Sequence, residues 1–191
     1  MNRTIDWNTE LGEQLTFHWE QLLRPRLAGL TDDEYLWEPV PGMWSVRPRG
    51  SSVTPPGAGS GDRVIDFAYP VPEPPPVTTI AWRLVHVIVG VLGMRVHAHF
   101  DGPPVDYDSH TCAGTADLAL AQLDDAYRRW TAGVAALGTA GLARPCGPAE
   151  GPYADAPMAT LVLHIHREVI HHGAEIALLR DLYAAAPPVR G

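Results

Sequence analysis

The stretch PMATLVLHIHREVIHHGAEIALLRDLYAA, residues 157–185, decides the fold. It reads as one long helix that begins near Pro157, with Asp155 or Ala156 near the cap position, and continues to about Ala185. Three other stretches carry the same period. Residues 9–28 place Leu11, Leu15, Trp19, Leu22, Leu23 and Leu27 at three- and four-residue steps. Pro25 lies inside that pattern and predicts a kink or an early last turn. Residues 79–100, capped by Thr78 or Thr79, are apolar nearly all round through Ile80, Leu84, Val85, Val87, Ile88 and Val89, which predicts a helix buried on most sides. Residues 115–137 are amphipathic through Leu118, Leu120, Leu123, Tyr127, Trp130 and Val134. Residues 144–155 read as a loop. No strand-like alternation competes, so the expected fold is all-α, a four-helix bundle.

Between the first two helices the composition changes. Residues 39–76 hold ten prolines and five glycines, and a run such as PEPPP (72–76) cannot continue a helix. The stretch of about 39–77 is either a solvated linker or a long crossover loop packed over one end of the bundle through Trp44, Ile65, Phe67 and Tyr69. Since neither side is long enough to make a good domain alone, the crossover is preferred and residues 1–191 are expected to form a single domain. Just before it, Thr31 and Glu34 have the spacing of a capping box.

Composition narrows the function classes. The 191 residues are 46% hydrophobic with a net charge of -8, and all 14 basic residues are arginine. Such an acidic chain, with pI near 5.5, argues against non-specific nucleic-acid binding and against an anionic membrane surface. Cys112 and Cys146 have no neighbour that would make a zinc knuckle or a disulfide framework, so a reducing compartment is the default. The polar start MNRTIDWNTELGEQ lacks a secretory apolar stretch, and no uninterrupted run of about 18 apolar residues is present. A cytoplasmic protein is expected.

The chemistry lies in the histidines. Four of the nine fall in HIHREVIHH (164–172). At about 100° per residue, His164, Glu168, His171, His172 and Glu175 share one stripe while His166 points elsewhere. Groups three or four apart on a helix are able to meet at one ion; groups seven apart, separated by about 10 Å along the axis, are not. The usable pairs are His164–Glu168, Glu168–His171, Glu168–His172 and His171–Glu175. HREVIH (166–171) spaces its histidines by five, which excludes the HExxH helix of zinc proteases. His86, set among valines and isoleucine on the second helix, needs a partner for its ring nitrogens. One reading closes His86, Glu168 and His172 on a divalent metal with an open fourth position. The other makes His86 a satisfied core histidine and the stripe an ordinary polar face.

The segments TTIAWRLVH (78–86) and HIHREVIHHGAEIALLRDL (164–182), with LRPRLAGLTDDEY and WEP inside 22–39 and PGMWSVR (41–47), resemble the DinB-like (DinB/YfiT) superfamily of metal-binding bundles. The resemblance covers nearly the whole chain, the Pro-rich stretch least. It implies a metal site of three side chains, one from helix two and a pair four apart on helix four. Most members pair two histidines there, whereas the residue four before His172 is Glu168. That departure is similar to the mycothiol-dependent maleylpyruvate isomerases, which implies His86, Glu168 and His172 as ligands. Those isomerases have an additional C-terminal domain, and this chain stops soon after the fourth helix. The resemblance therefore implies a thiol S-transferase or isomerase acting on a small electrophile, with a low-molecular-weight thiol such as mycothiol or bacillithiol, mycothiol favoured.

In that chemistry a metal-bound thiol is deprotonated and attacks the electrophile. The same open position would serve a metal-water hydrolase, and a non-catalytic metal-binding, stress-associated homodimer is the alternative of a different class. Zinc is the expected metal and nickel the next. His171 and Glu175 are candidates to support the ligands from behind, and His164 and His18 to line the pocket. Arg83 is expected in a surface ion pair, and His97, His99 and His110 are expected to be ordinary surface residues.

Overall fold

A computed structural model describes residues 5–186; the first four and last five residues of the expected domain lie outside the described part. Of the described residues 57% are helical. Helix α1 (7–26) starts on Asp6, whose carboxylate accepts from the Asn8 and Thr9 backbone N–H groups. A short helix α2 (Asp32–Tyr35) follows, then α3 (Ile80–His99), α4 (Ala116–Ala135), α5 (Gly138–Ala143) and α6 (Met158–Ala185). Threonines cap three of these helices, Thr31, Thr79 and Thr115 each accepting a backbone N–H of the first turn. Glu34 does not complete the expected capping box. It is buried and takes Arg180 Nε at 2.6 Å from α6 instead.

Helices α1 and α3 each pack on both α4 and α6, which arranges the four long helices as a ring. Their inward faces form one cluster of buried side chains, with Leu15, Leu27, Leu84, Leu92, Leu123, Trp130 and Ile165 among the least exposed. By length and hydropathy α3 is apolar enough to cross a membrane, although no uninterrupted apolar run marks it. More than half of that window is buried inside the bundle, and the helix serves as its core. Leu22 and Leu118, counted in the apolar faces, are more than half exposed.

Two wide turns were not foreseen. Residues 18–23 of α1 and 86–93 of α3 are π-helical, so Arg24 N–H bonds Trp19 C=O and Met94 N–H bonds Val89 C=O, five residues back. The second of these segments begins at His86. Pro25 sits in the last turn of α1, which ends at Arg26 rather than near 28.

The Pro-rich segment corrects the all-α expectation. It contains a small antiparallel sheet, β1 (Val46–Pro48) on β2 (Arg63–Ile65), with Val46 opposite Ile65. The organiser is Asp66, fully buried, whose carboxylate accepts from the Ser45 and Val53 N–H groups, Ser52 Oγ and Arg47 Nε at 2.7–2.9 Å. Trp44, Val46 and Ile65 are buried against the helices, as a packed crossover requires. Phe67 is partly exposed and Tyr69 is 90% exposed, so Tyr69 does not anchor it.

His166 faces away from the stripe of the other histidines. It is buried against Trp130, and burial, outweighing a hydrogen bond to the Leu11 backbone, pushes its pKa down to about 4. In the unfolded chain the ring protonates near pH 6.5. Stability is therefore unaffected above pH ~6.5 and falls by about 3 kcal/mol as pH drops to 4. Urea unfolding at pH 7 and pH 4.5 should show this loss in the native chain and a shallower slope in His166→Phe.

Candidate metal centre

The site lies where α3 faces α6. His86 occupies the start of the wide turn of α3, and its ring lies 4.7 Å from that of His172 on α6, edge to face. His172 is buried, and its Nε2 is 3.5 Å from Glu168 Oε2. The α-helical spacing of four brings the latter pair together; packing of the two helices brings His86 to His172.

Each imidazole is held from outside through Nδ1. For His172 the partner is Glu175 Oε2 at 2.7 Å. Arg83 Nη1 also approaches that nitrogen, at 3.4 Å, but the carboxylate contact is shorter and makes Nδ1 the proton donor. Arg83 instead pairs with the other oxygen of Glu175 through Nη2 at 3.2 Å. The result is a chain Arg83–Glu175–His172 that fixes the tautomer and leaves Nε2 with its lone pair. For His86 the partner is Tyr107 Oη at 2.7 Å. With its proton on Nδ1, His86 donates to that oxygen and also leaves Nε2 free, which has no hydrogen-bond partner among the described residues.

An aromatic wall stands behind His86. Trp82 stacks on it at 5.3 Å and Tyr107 lies nearly parallel at 6.5 Å. Two crossover residues back this wall, Trp44 against Trp82 and Phe67 against Tyr107. Trp82 Nε1 donates to the Asp66 carbonyl at 2.8 Å, so the crossover is tied directly to the helix that carries His86. Gly90 belongs to the same arrangement: a Cβ there would collide with the Tyr107 hydroxyl and crowd His86 Nδ1. Burial first, then the nearby His172, Arg83 and Arg95, lowers the His86 pKa to about 4. The ring is consequently neutral at pH 7, the form that binds a metal.

The remaining predicted residues divide. Among the described residues, His171, His172 and Glu175 are the group that places one donor atom each within 4.8 Å of one another and is able to hold a metal. His171 is exposed, 3.6 Å from Glu175 Oε1. His164 Nδ1 accepts from Arg167 Nη2 at 2.6 Å and lies 3.6 Å from Glu168 Oε1. His18 Nε2 is buried without a hydrogen-bond partner among the described residues.

Two expectations about the other histidines fail. His99 is no surface residue: its side chain is 4% exposed and meets Glu150 Oε1 at 2.9 Å. His110 Nε2 is likewise buried, and burial lowers its pKa. Tyr107 escaped the sequence reading because it lies in a loop 21 residues from His86, and no local spacing connects them.

No curated protein and no solved structure matches the chain. Residues 62–176, well over half of the sequence and including α3, α4 and most of α6, match the family model of the DinB superfamily. The wide turn with His86 and the face carrying Glu168, His172 and Glu175 all fall inside the matched region, and the chain belongs to the DinB superfamily.

Proposed function

We propose that the protein is a divalent-metal-dependent enzyme that joins a low-molecular-weight thiol of the mycothiol type to a small electrophile, or isomerises it, with His86, Glu168 and His172 holding the metal. The observation that carries the ligand set is the pair of Nδ1 contacts. Tyr107 and Glu175 each occupy Nδ1 of one imidazole and leave Nε2 available, that of His172 lying 3.5 Å from Glu168 Oε2. Two nitrogens and one oxygen suit zinc, with nickel next. Bound there, the metal would supply the Lewis acidity that makes a thiol nucleophilic at neutral pH.

The group His171, His172 and Glu175 is the weaker choice. Its donors come from one face of one helix, His171 is exposed, and Glu175 already serves Arg83 and His172 Nδ1. A cation there would compete with a guanidinium and break the contact that orients His172.

The chain's own contribution is orientation and exclusion of water. Glu175, backed by Arg83, keeps the His172 proton on Nδ1. Tyr107 engages the same nitrogen of His86, and Trp82 covers the ring. Elemental analysis of untagged protein tests the assignment: native chain and His171→Ala should carry about one metal ion each, and His86→Ala almost none. Metal retained in His86→Ala but lost from His171→Ala would overturn it. With the metal in place, the protein should consume mycothiol in the presence of an electrophilic bimane, and chelation should stop it; a metal-loaded protein with no turnover would count against an enzyme.

A further inference from the structure

We propose that a cleft beside this centre binds the carboxylate of a small, largely apolar substrate, with Arg95 and Arg167 as its cationic partners. The cleft has a volume of about 760 Å³, within the range of sites for small molecules. One wall is the face of α6 from Thr160 to Arg167, a second is Arg95 of α3, and the turn 149–156 forms the roof. Leu161, Leu163, Pro152 and Tyr153 give it apolar surface able to receive a hydrocarbon or aromatic body.

Its position ties it to the centre. His164 and Arg167 line it, and each lies 3.6 Å from Glu168 Oε1. From the other side, Arg95 Nη1 donates to the Gly90 carbonyl at 2.8 Å. Gly90 is the residue packed against Tyr107 and His86. A molecule in the cleft therefore has one end next to the residues assigned to the metal.

Charge selects the class of that molecule. The one carboxylate lining the cleft, Glu150, is already engaged by His99 Nε2 at 2.9 Å and Arg95 Nη2 at 3.5 Å. Arg95 Nε is buried with no hydrogen-bond partner, an uncommon state for a guanidinium N–H. Arg167 uses Nη2 on His164 Nδ1, which obliges His164 to carry its proton on Nε2 and so to offer a further donor. The unpartnered Arg95 Nε–H, the His164 Nε2–H and the largely exposed Arg167 guanidinium together match a carboxylate. Cys146 also lines the cleft, but burial and the neighbouring Glu150 raise its pKa, so the thiol stays protonated and is no rival nucleophile.

The direction of the reactive end rests on the function proposed above; binding of the anion does not, and it is measurable separately. The probes are 4-nitrobenzoate and its neutral isostere 4-nitrobenzamide, titrated calorimetrically into the full chain as purified and again after chelation. The acid should bind about tenfold or more tightly than the amide in both forms, the margin of one charge-assisted contact. Arg167→Gln and Arg95→Gln should each remove most of that preference, and Arg95→Lys should restore part of it. Arg167 is mostly exposed, so its variant tests binding without endangering the fold. Equal binding of acid and amide, or a preference unchanged in Arg167→Gln, would overturn the proposal. So would a preference that disappears on chelation and ignores both arginines, since the carboxylate would then be a metal ligand. If the metal assignment fails while the arginine-dependent preference persists, the cleft stands without it.

Discussion

Replacing Glu168 with alanine is expected to lower metal affinity by at least about 100-fold, beyond the ~10–100-fold typical of losing an outer partner of a ligand. The fold should not notice. Glu168 is partly exposed, and its contacts with His172, His164 and Arg167 are all long, at 3.5–3.6 Å. Nothing buried is stranded by its removal, so stability should stay within about 0.5 kcal/mol and Tm within roughly 2 °C. Metal titration beside a thermal melt reads both numbers. A large fall in Tm would make Glu168 a structural residue, and unchanged affinity would remove it from the ligand set.

The second large effect lies away from the metal. Asp66→Ala is expected to cost about 3–5 kcal/mol, because a buried charge partner and three further hydrogen bonds disappear together. Arg47 retains Glu38 at 2.8 Å and the Met43 carbonyl at 2.7 Å, so the guanidinium is not left bare. The cost falls on the Ser45 and Val53 N–H groups and Ser52 Oγ, which lose the acceptor that folds the Pro-rich segment around them. In a domain of this size the change corresponds to a fall in Tm of roughly 10 °C. A drop of only 1–2 °C would mean that the segment is held by its apolar side chains alone.

The long helices were legible because their burial follows a single period. Leu15, Trp19, Leu23 and Leu27 are all buried at the expected steps. The adjacency of Glu168 and His172 was legible for the same reason, as a local consequence of helical rise. What the sequence did not show depends on non-local contacts. Proline-rich stretches read as extended chain, and the strands around Val46 and Val64 exist because Asp66 gathers donors from both sides. The wide turn at His86 has no compositional signature in a run of valines and glycines. His99 and Glu150 lie 51 residues apart, and only the return of the chain over α6 joins them. Helix ends were less exact than helix cores: α6 begins on Pro157 with no side-chain cap, its first N–H groups being served in part by the Arg144 carbonyl.

The backing of the His86 wall comes from outside the four long helices: Trp44 and Phe67 from the crossover, Tyr107 from the loop after α3. Bundle and lining are thus one structure, since Val46 and Ile65 share the buried core and Trp82 is bonded to the Asp66 carbonyl. Evolution, or a designer, can reshape the chamber through this segment only while Asp66 and those anchors stay, and the exposed stretch around Tyr69 is where it is free to vary.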